Sequence, residues 1–320
     1  MWRSERLLIG PDRAGPKDIA ALNRLFSDAF TDRYRRDGMQ GVRVPFLNPA
    51  VWQYALSNAG EGAMLWRDGR GDIVAFNLAH LSGREGWMGP LAVRQDRQGQ
   101  GLGRQIVLEG VRWLEEAGAL TIGLETMPRT IENIGFYSRL GFIPGPLTVT
   151  LQGDAIRGDV GHARQLGSLA PAARSVVLHE CRDLTARLAE SLDFTRECEL
   201  TLQNELGDVV VLRDAQDAVI AFALWHGVAL AQGRSLDELR ILKLVAVDLE
   251  AAQQAINAVS DEAARRRMPH VTARVQARQG ALYSWLIKEH WRVHWTDLRM
   301  TLATHPEGET KGVVLSNWEI

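Results

Sequence analysis

Among its 320 residues the chain has two cysteines, Cys181 and Cys198, without Cys-x-x-Cys spacing or a flanking histidine cluster. That scarcity speaks against a zinc site or a disulfide framework and reads as two buried thiols. A run of about 18 apolar residues is also missing, and Met1-Trp2-Arg3-Ser4-Glu5-Arg6 leads into no apolar segment of signal-peptide length. A cytoplasmic chain with no membrane partner is therefore expected. Nor is there an excess of positive charge: 37 Lys and Arg face 39 Asp and Glu, a net charge of -2. Binding to phosphate backbones draws on such an excess, so nucleic acid is not an expected partner. What is present is an ordinary globular composition, 46% hydrophobic and 24% charged. The length suffices for two domains with their own cores.

A pattern recurs within that length. Leu65-Trp66-Arg67-Asp68 and Ile73-Val74-Ala75-Phe76-Asn77-Leu78-Ala79-His80 are matched 146 positions on by Val211-Leu212-Arg213-Asp214 and Val219-Ile220-Ala221-Phe222-Ala223-Leu224-Trp225-His226. At the same offset Leu282-Tyr283-Ser284-Trp285-Leu286 matches Phe136-Tyr137-Ser138-Arg139-Leu140. Two ungapped similarities in one register imply a duplication. The units span residues 1–153 and 164–320, with a join near Gly153 to Arg164, where Gly and Asp cluster without apolar periodicity. Between the anchors the register slips, for Leu91-Ala92-Val93 finds its counterpart at Val245-Ala246-Val247. Val93 lies 44 positions before Tyr137, whereas Val247 lies 36 before Tyr283, so the second copy is eight residues shorter there.

Periodicity in the first unit predicts a helix over 18–34 capped by Asp18, and a short helix after Pro49 through Trp52 to Leu56. Strands follow over 63–67 and 72–80, joined at Asp68-Gly69 and Gly71. A third strand over 87–94 is interrupted by Gly89-Pro90, a pair suited to a bulge. Then come a helix over 103–117 ended by Gly118, a strand over 120–126, a helix over 132–140 and a strand from Phe142. Helices, a β-meander and a βαβα unit make a mixed α/β fold, an α+β arrangement with a mixed sheet.

The eight residues missing from the second copy fall where the first is most distinctive. Leu91-Ala92-Val93-Arg94-Gln95-Asp96-Arg97-Gln98-Gly99-Gln100-Gly101-Leu102-Gly103-Arg104 reads as a strand, a loop with three alternating glycines and a helix start. Glycines let the backbone approach an anion, and the helix start supplies N–H groups, so phosphate is the natural ligand. A dinucleotide fingerprint would need glycine where Arg104 stands, and a Walker loop would need Gly-Lys-Ser or Gly-Lys-Thr; both are absent.

Gln98, Gly101 and Gly103 instead resemble the Gln/Arg-x-x-Gly-x-Gly/Ala signature of the GNAT superfamily of N-acetyltransferases. Gly89-Pro90-Leu91-Ala92-Val93 resembles that family's bulged fourth strand, and Asn133 to Phe142 its helix bearing a Tyr followed four residues later by Gly-Phe. The resemblance covers about residues 60 to 150 and implies two tandem GNAT-like folds. It also implies acetyl-CoA as co-substrate, no metal, and transfer to a small-molecule amine or peptide N-terminus. Coenzyme A would be held by Leu91, Ala92, Val93, Gln98, Gly99, Gln100, Gly101, Leu102, Gly103 and Arg104, with Asn133 and Phe136.

In such an enzyme Tyr137 is the general acid toward the sulfur, although a helical Tyr beside Phe136 also suits plain packing. A backbone N–H near Val93 would serve the oxyanion. Glu125, twelve positions before Tyr137, is the implied base, yet Leu124-Glu125 also occurs where the carboxylate is structural, and both readings stand. His80 is a rival base that its counterpart His226 argues to be architectural. Acceptor walls would come from Asp28, Phe30 and Tyr34, although Phe30 also fits a core-facing helix position.

The second copy has no glycine between Gly233 and Gly280, and Asp248 and Glu250 stand where an anion would lie. A degenerate unit without coenzyme A follows, serving as packing, as a wall for the first site or as the surface of a homodimer. Val271 stands twelve residues before Tyr283, so no carboxylate accompanies it. Arg265-Arg266-Arg267 reads as a solvated helix end, and Trp285, Trp291 and Trp295 as core and interface. The competing reading of the whole chain is an acyl-CoA-binding sensor or scaffold without turnover.

Overall fold

The computed structural model describes residues 8–158, 161 and 163–318. The opening hexapeptide and residues 159, 160 and 162 of the join lie outside them. The first half runs β1 (Leu8–Arg13), α1 (Ile19–Arg36), α2 (Pro49–Ala59), β2 (Ala63–Asp68), β3 (Ile73–Ser82), β4 (Glu85–Val93), α3 (Leu102–Glu116), β5 (Thr121–Thr126), α4 (Ile131–Ser138) and β6 (Phe142–Asp154). Each predicted element is there, with ends moved by a few residues. Asp18 does not cap α1. Its carboxylate instead pairs with Arg67 at 2.6 Å and accepts the Gly15 N–H, an ion pair taking the place of a cap. Asn48 caps α2 through the Ala50 N–H at 3.0 Å.

The second half repeats the plan with β7 (Arg164–Gln165), α5 (Pro171–Leu188), α6 (Thr195–Gln203), β8 (Gly207–Arg213), β9 (Val219–His226), β10 (Glu238–Ala246), α7 (Leu249–Arg265), β11 (His270–Gln276), α8 (Gly280–Lys288) and β12 (Arg292–Leu302), then adds β13 (Val313–Ser316). The sequence repeat thus superposes β3 on β9 and α4 on α8. Tyr283 and Trp285 pack partly buried on the second core, and Trp291 is buried in it.

All of these strands join one sheet, in the order β1-β2-β3-β4-β5-β12-β6-β11-β10-β9-β8-β7, with β13 beside β10. The two units exchange their last strands. Residues 148–154 of β6 pair antiparallel with β11, while Leu298–Thr301 of β12 pair antiparallel with β5. Gly153 at the expected join still belongs to β6, opposite Val271. The exchange satisfies the same backbone groups as pairing within each unit would, and it buries Val149 and Leu151 of β6 in the second core.

In each half two neighbouring parallel strands start together and then part. β4 pairs with β5 only through Glu85–Met88, and β10 with β11 only through Glu238–Ile241. Beyond those points the halves differ. In the second, β13 fills the gap by pairing with Lys243–Ala246. In the first no strand among the described residues fills the gap.

Candidate active site

The opening in the first half begins at a bulge. β3 and β4 are in register at Ala79 and Met88 and again at Asn77 and Leu91, so Gly89 and Pro90 together face a single residue, Leu78. Farther along, the Arg94 N–H donates to the Val74 carbonyl at 2.8 Å. Alternation in an antiparallel ladder then turns the Val93 and Leu91 N–H groups away from β3, toward the gap beside β5.

A 3-10 turn over Gln95–Arg97 carries the chain from β4 into the glycine loop, where Gln98 donates from Nε2 to the Val93 carbonyl at 3.0 Å and ties the loop to the strand. Gly99 and Gly101 have φ of +73° and +85°, a region that glycine enters without strain. Gly101 is the N-cap of α3, and among the described residues no side chain caps that helix. Its first-turn N–H groups and the positive end of its dipole therefore face the loop. The second half shows the contrast. There only two residues separate β10 from α7, and the Asp248 side chain accepts the Ala251 N–H at 2.8 Å, so a side chain already occupies that helix start.

Strand gap, loop and helix start open into one cavity of about 520 Å³. Leu91, Ala92, Val93, Gln98, Gly99, Gly101, Gly103, Arg104, Asn133, Phe136, Tyr137, Glu125, Phe30 and Tyr34 line it. Two residues of the expected set do not. Leu102 is buried in the core under α3, and Gln100 turns back to donate to the Asp96 carbonyl at 3.0 Å. Asp28 also lies away, paired with Arg43 at 2.7 Å.

The match to known proteins follows this geometry. Residues 20–142 match the sequence profile of the acetyltransferase (GNAT) family. The first half of the chain is a GNAT domain. The whole chain resembles in fold a GCN5-related N-acetyltransferase from Sphaerobacter thermophilus, with TM-score 0.61, 14% identity, and 96% of this chain and 98% of that one covered. It also resembles a tandem GNAT protein from the clavulanic acid biosynthesis pathway, with TM-score 0.58, 10% identity, and 94% and 99% covered. N-myristoyltransferase of Saccharomyces cerevisiae with bound myristoyl-CoA gives TM-score 0.64 at 11% identity, with 95% and 80% covered. GNAT proteins are generally acyl-CoA-dependent N-acyltransferases, and the cavity of this GNAT domain has the amides and the open strand edge that an acyl-CoA needs.

Within the GNAT site Tyr137 is buried beside Phe136 and Phe142, and burial pushes its phenol up to about 12. It stays protonated at any working pH. Glu125 lines the cavity with both oxygens engaged: the Thr148 hydroxyl donates to Oε1, and the Arg274 guanidinium pairs with Oε2. Arg299 adds a contact at 3.8 Å.

Arg274 and Arg299 belong to the second unit, as do two cavity residues absent from the expected set, Trp295 and Asp297 of β12. Trp295, expected in core or interface, lies against Tyr34 of the first unit. Its spacing of two from Asp297 is the signal that both share one strand face. That this face reaches the first unit's cavity depends on the strand exchange.

His80 stands behind the bulge, off the cavity lining. Its ring stacks on Trp87 at 4.0 Å, Nδ1 accepts from Asn58 at 3.2 Å, and Nε2 donates to the Gly89 carbonyl at 3.1 Å. Burial lowers its pKa from 6.5 to about 3, so the folded ring is neutral. Below pH 6.5 the unfolded chain binds a proton that the folded chain refuses, so stability is full above that value and falls as the pH drops toward 3. His226, pushed down by the same cause, adds an effect of the same sign. Thermal unfolding followed from about pH 7 to about pH 4 should show a falling Tm, with a shallower slope in His80→Gln. An unchanged slope in that variant would remove His80 from the effect.

Proposed function

We propose that the protein transfers an acetyl group from acetyl-CoA to a primary amine, a small molecule or a peptide N-terminus, by direct attack in the first half. The observation that carries this reading is the convergence, in one cavity, of an uncapped helix start behind Gly99 and Gly101, an open strand edge at Leu91 to Val93, and the buried phenol of Tyr137. Loop amides suit the pyrophosphate, and the strand edge suits an amide-bearing arm. The Val93 N–H suits the oxyanion of the tetrahedral intermediate. A short acyl group fits because Met88 and Leu124 line the cavity where β4 and β5 meet.

Attack by nitrogen on the thioester breaks the C–S bond, and the departing thiolate takes the Tyr137 proton. A phenol with a pKa of about 12 gives up its proton uphill to a thiolate, a gradient that burial of the sulfur beside it reduces. The amine must arrive unprotonated, and the acceptor end of the cavity offers two carboxylates for that task, Glu125 and Asp297.

Free-thiol release from acetyl-CoA across an amine panel tests the activity. Tyr137→Phe is expected to lower kcat about 100-fold while the shift in Tm caused by acetyl-CoA stays. Full turnover in that variant would remove the acid role. An acetyl-CoA shift without thiol release for any amine would favour a sensor over an enzyme.

A further inference from the structure

Resting on the acyl-transfer reading, we propose that the exchanged strand β12 completes the acceptor end of the site. Asp297 takes the proton of the acceptor's ammonium group, and Tyr34 and Trp295 form the wall on which an apolar, preferably aromatic, group that carries this amine packs.

The placement argues for it. Tyr34 on α1 and Trp295 on β12 have ring centroids 6.1 Å apart at 39°, a wall built from both units over one cavity. Asp297 is two residues farther on the same strand face and lines the same cavity. Asp297 offers a cation a partner there, because the arginines nearby are engaged elsewhere as well. Arg274 lies between two carboxylates, in direct contact with Glu125 and 3.1 Å from Asp297. Arg299, the next cation, is stacked on Trp318 at 3.5 Å and also faces Glu307 at 3.4 Å. An ammonium group entering beside Asp297 would meet a carboxylate held by a single arginine, and aromatic faces with it.

The two carboxylates differ in what they have left to offer. Glu125 accepts from the Thr148 hydroxyl and pairs with both arginines. Asp297 receives the Trp295 indole N–H at 3.2 Å and shares Arg274. Burial pushes the Asp297 carboxyl above its ordinary value, with Arg274 on β11 acting against that shift and Glu125 on β5 with it. The other titratable and charged groups lining the cavity are Asp32, Arg33, Tyr34 and Arg36 on α1, Arg104 on α3 and Tyr137 on α4.

The protons balance as follows. One ammonium proton passes to Asp297 and on to solvent. The freed nitrogen pair forms the C–N bond, the C–S bond breaks, and sulfur leaves with its electron pair and the Tyr137 proton. The second nitrogen proton returns to the tyrosinate through water.

The test uses acetyl-CoA with phenylethylamine and with spermidine as probes. Phenylethylamine should be acetylated with a kcat/KM at least roughly 10-fold above that of spermidine. Asp297→Asn should cut its kcat/KM about 100-fold and remove the acid limb of the pH–rate profile, whereas Glu125→Gln keeps that limb. Trp295→Ala should raise KM for the amine roughly 10-fold with kcat changed by less than about twofold. An unchanged Tm shift with acetyl-CoA in each variant shows that the fold and the cofactor loop are intact.

An Asp297→Asn enzyme with the wild-type pH profile overturns the base assignment. Preference for spermidine, or no turnover of either amine while acetyl-CoA still shifts Tm, overturns the acceptor class. Loss of the acetyl-CoA shift in the wild type overturns the acyl-transfer reading itself, and the proposal with it.

Discussion

Replacing Gly101 by valine should abolish the stabilisation that saturating acetyl-CoA gives the protein, about 2.7 kcal/mol at 100 times its Kd. Two separate effects act in the same direction. Gly101 has φ +85°, which a β-branched residue enters only under strain, so the loop must change course just where α3 begins. A Cβ built there meets nothing within 4 Å, so the added methyl groups would project into the open space where an anion would sit, and not into the core. Stability of the ligand-free protein should therefore suffer less than binding does. The control is Asp248→Ala in the second unit. It removes a helix cap and should cost about 1 kcal/mol of stability without touching the acetyl-CoA effect. Calorimetric unfolding with and without acetyl-CoA decides it. Equal loss of the ligand shift in both variants would contradict a single coenzyme A site in the first half.

Features that lie close together along the chain were legible in the sequence. The glycine loop, the Gly89-Pro90 bulge, Tyr137 and the helix before them each announce themselves within a few residues, because turn chemistry and periodicity are local. Even there a competing partner can win, as Arg67 does for the Asp18 carboxylate. The exchange of β6 and β12 was not legible. Both strands alternate in the same way, and backbone hydrogen bonds do not register which unit supplies the partner. With it went everything the second unit brings to the cavity. Arg274 meets Glu125 across 149 positions, and no pattern in either segment points to the other. Trp295 read as core or interface, and nothing in its own segment tells which surface it would meet. The filling of the second cleft by β13 was hidden for the same reason, although the shortened loop and Asp248 already set that helix start apart from the first.

Trp318→Ala should be among the most damaging truncations, at about 3 to 5 kcal/mol. The side chain is 1% exposed and touches both halves at once. Its ring packs on Gly123 of β5, where a Cβ could not be accommodated, and the Arg299 guanidinium of β12 lies 3.5 Å from its centroid. Its indole N–H donates to Glu85 of β4 at 2.9 Å, a carboxylate that also accepts from the Ser316 hydroxyl of β13. Truncation would leave a void beneath the open strand gap, a buried carboxylate short of a donor, and a buried guanidinium without its stacking face. Trp318→Phe separates these effects, since it fills most of the void and loses the hydrogen bond; it should cost about 1 to 3 kcal/mol. Urea unfolding at constant m-value measures both. A loss below about 1 kcal/mol in the alanine variant would mean that the surrounding side chains collapse into the space and that Trp318 is not what joins the halves. Because β6 and β12 are each held in the other unit's sheet, the destabilisation should reach both halves together. Intrinsic fluorescence and far-ultraviolet circular dichroism should then report one coincident transition that moves as a whole.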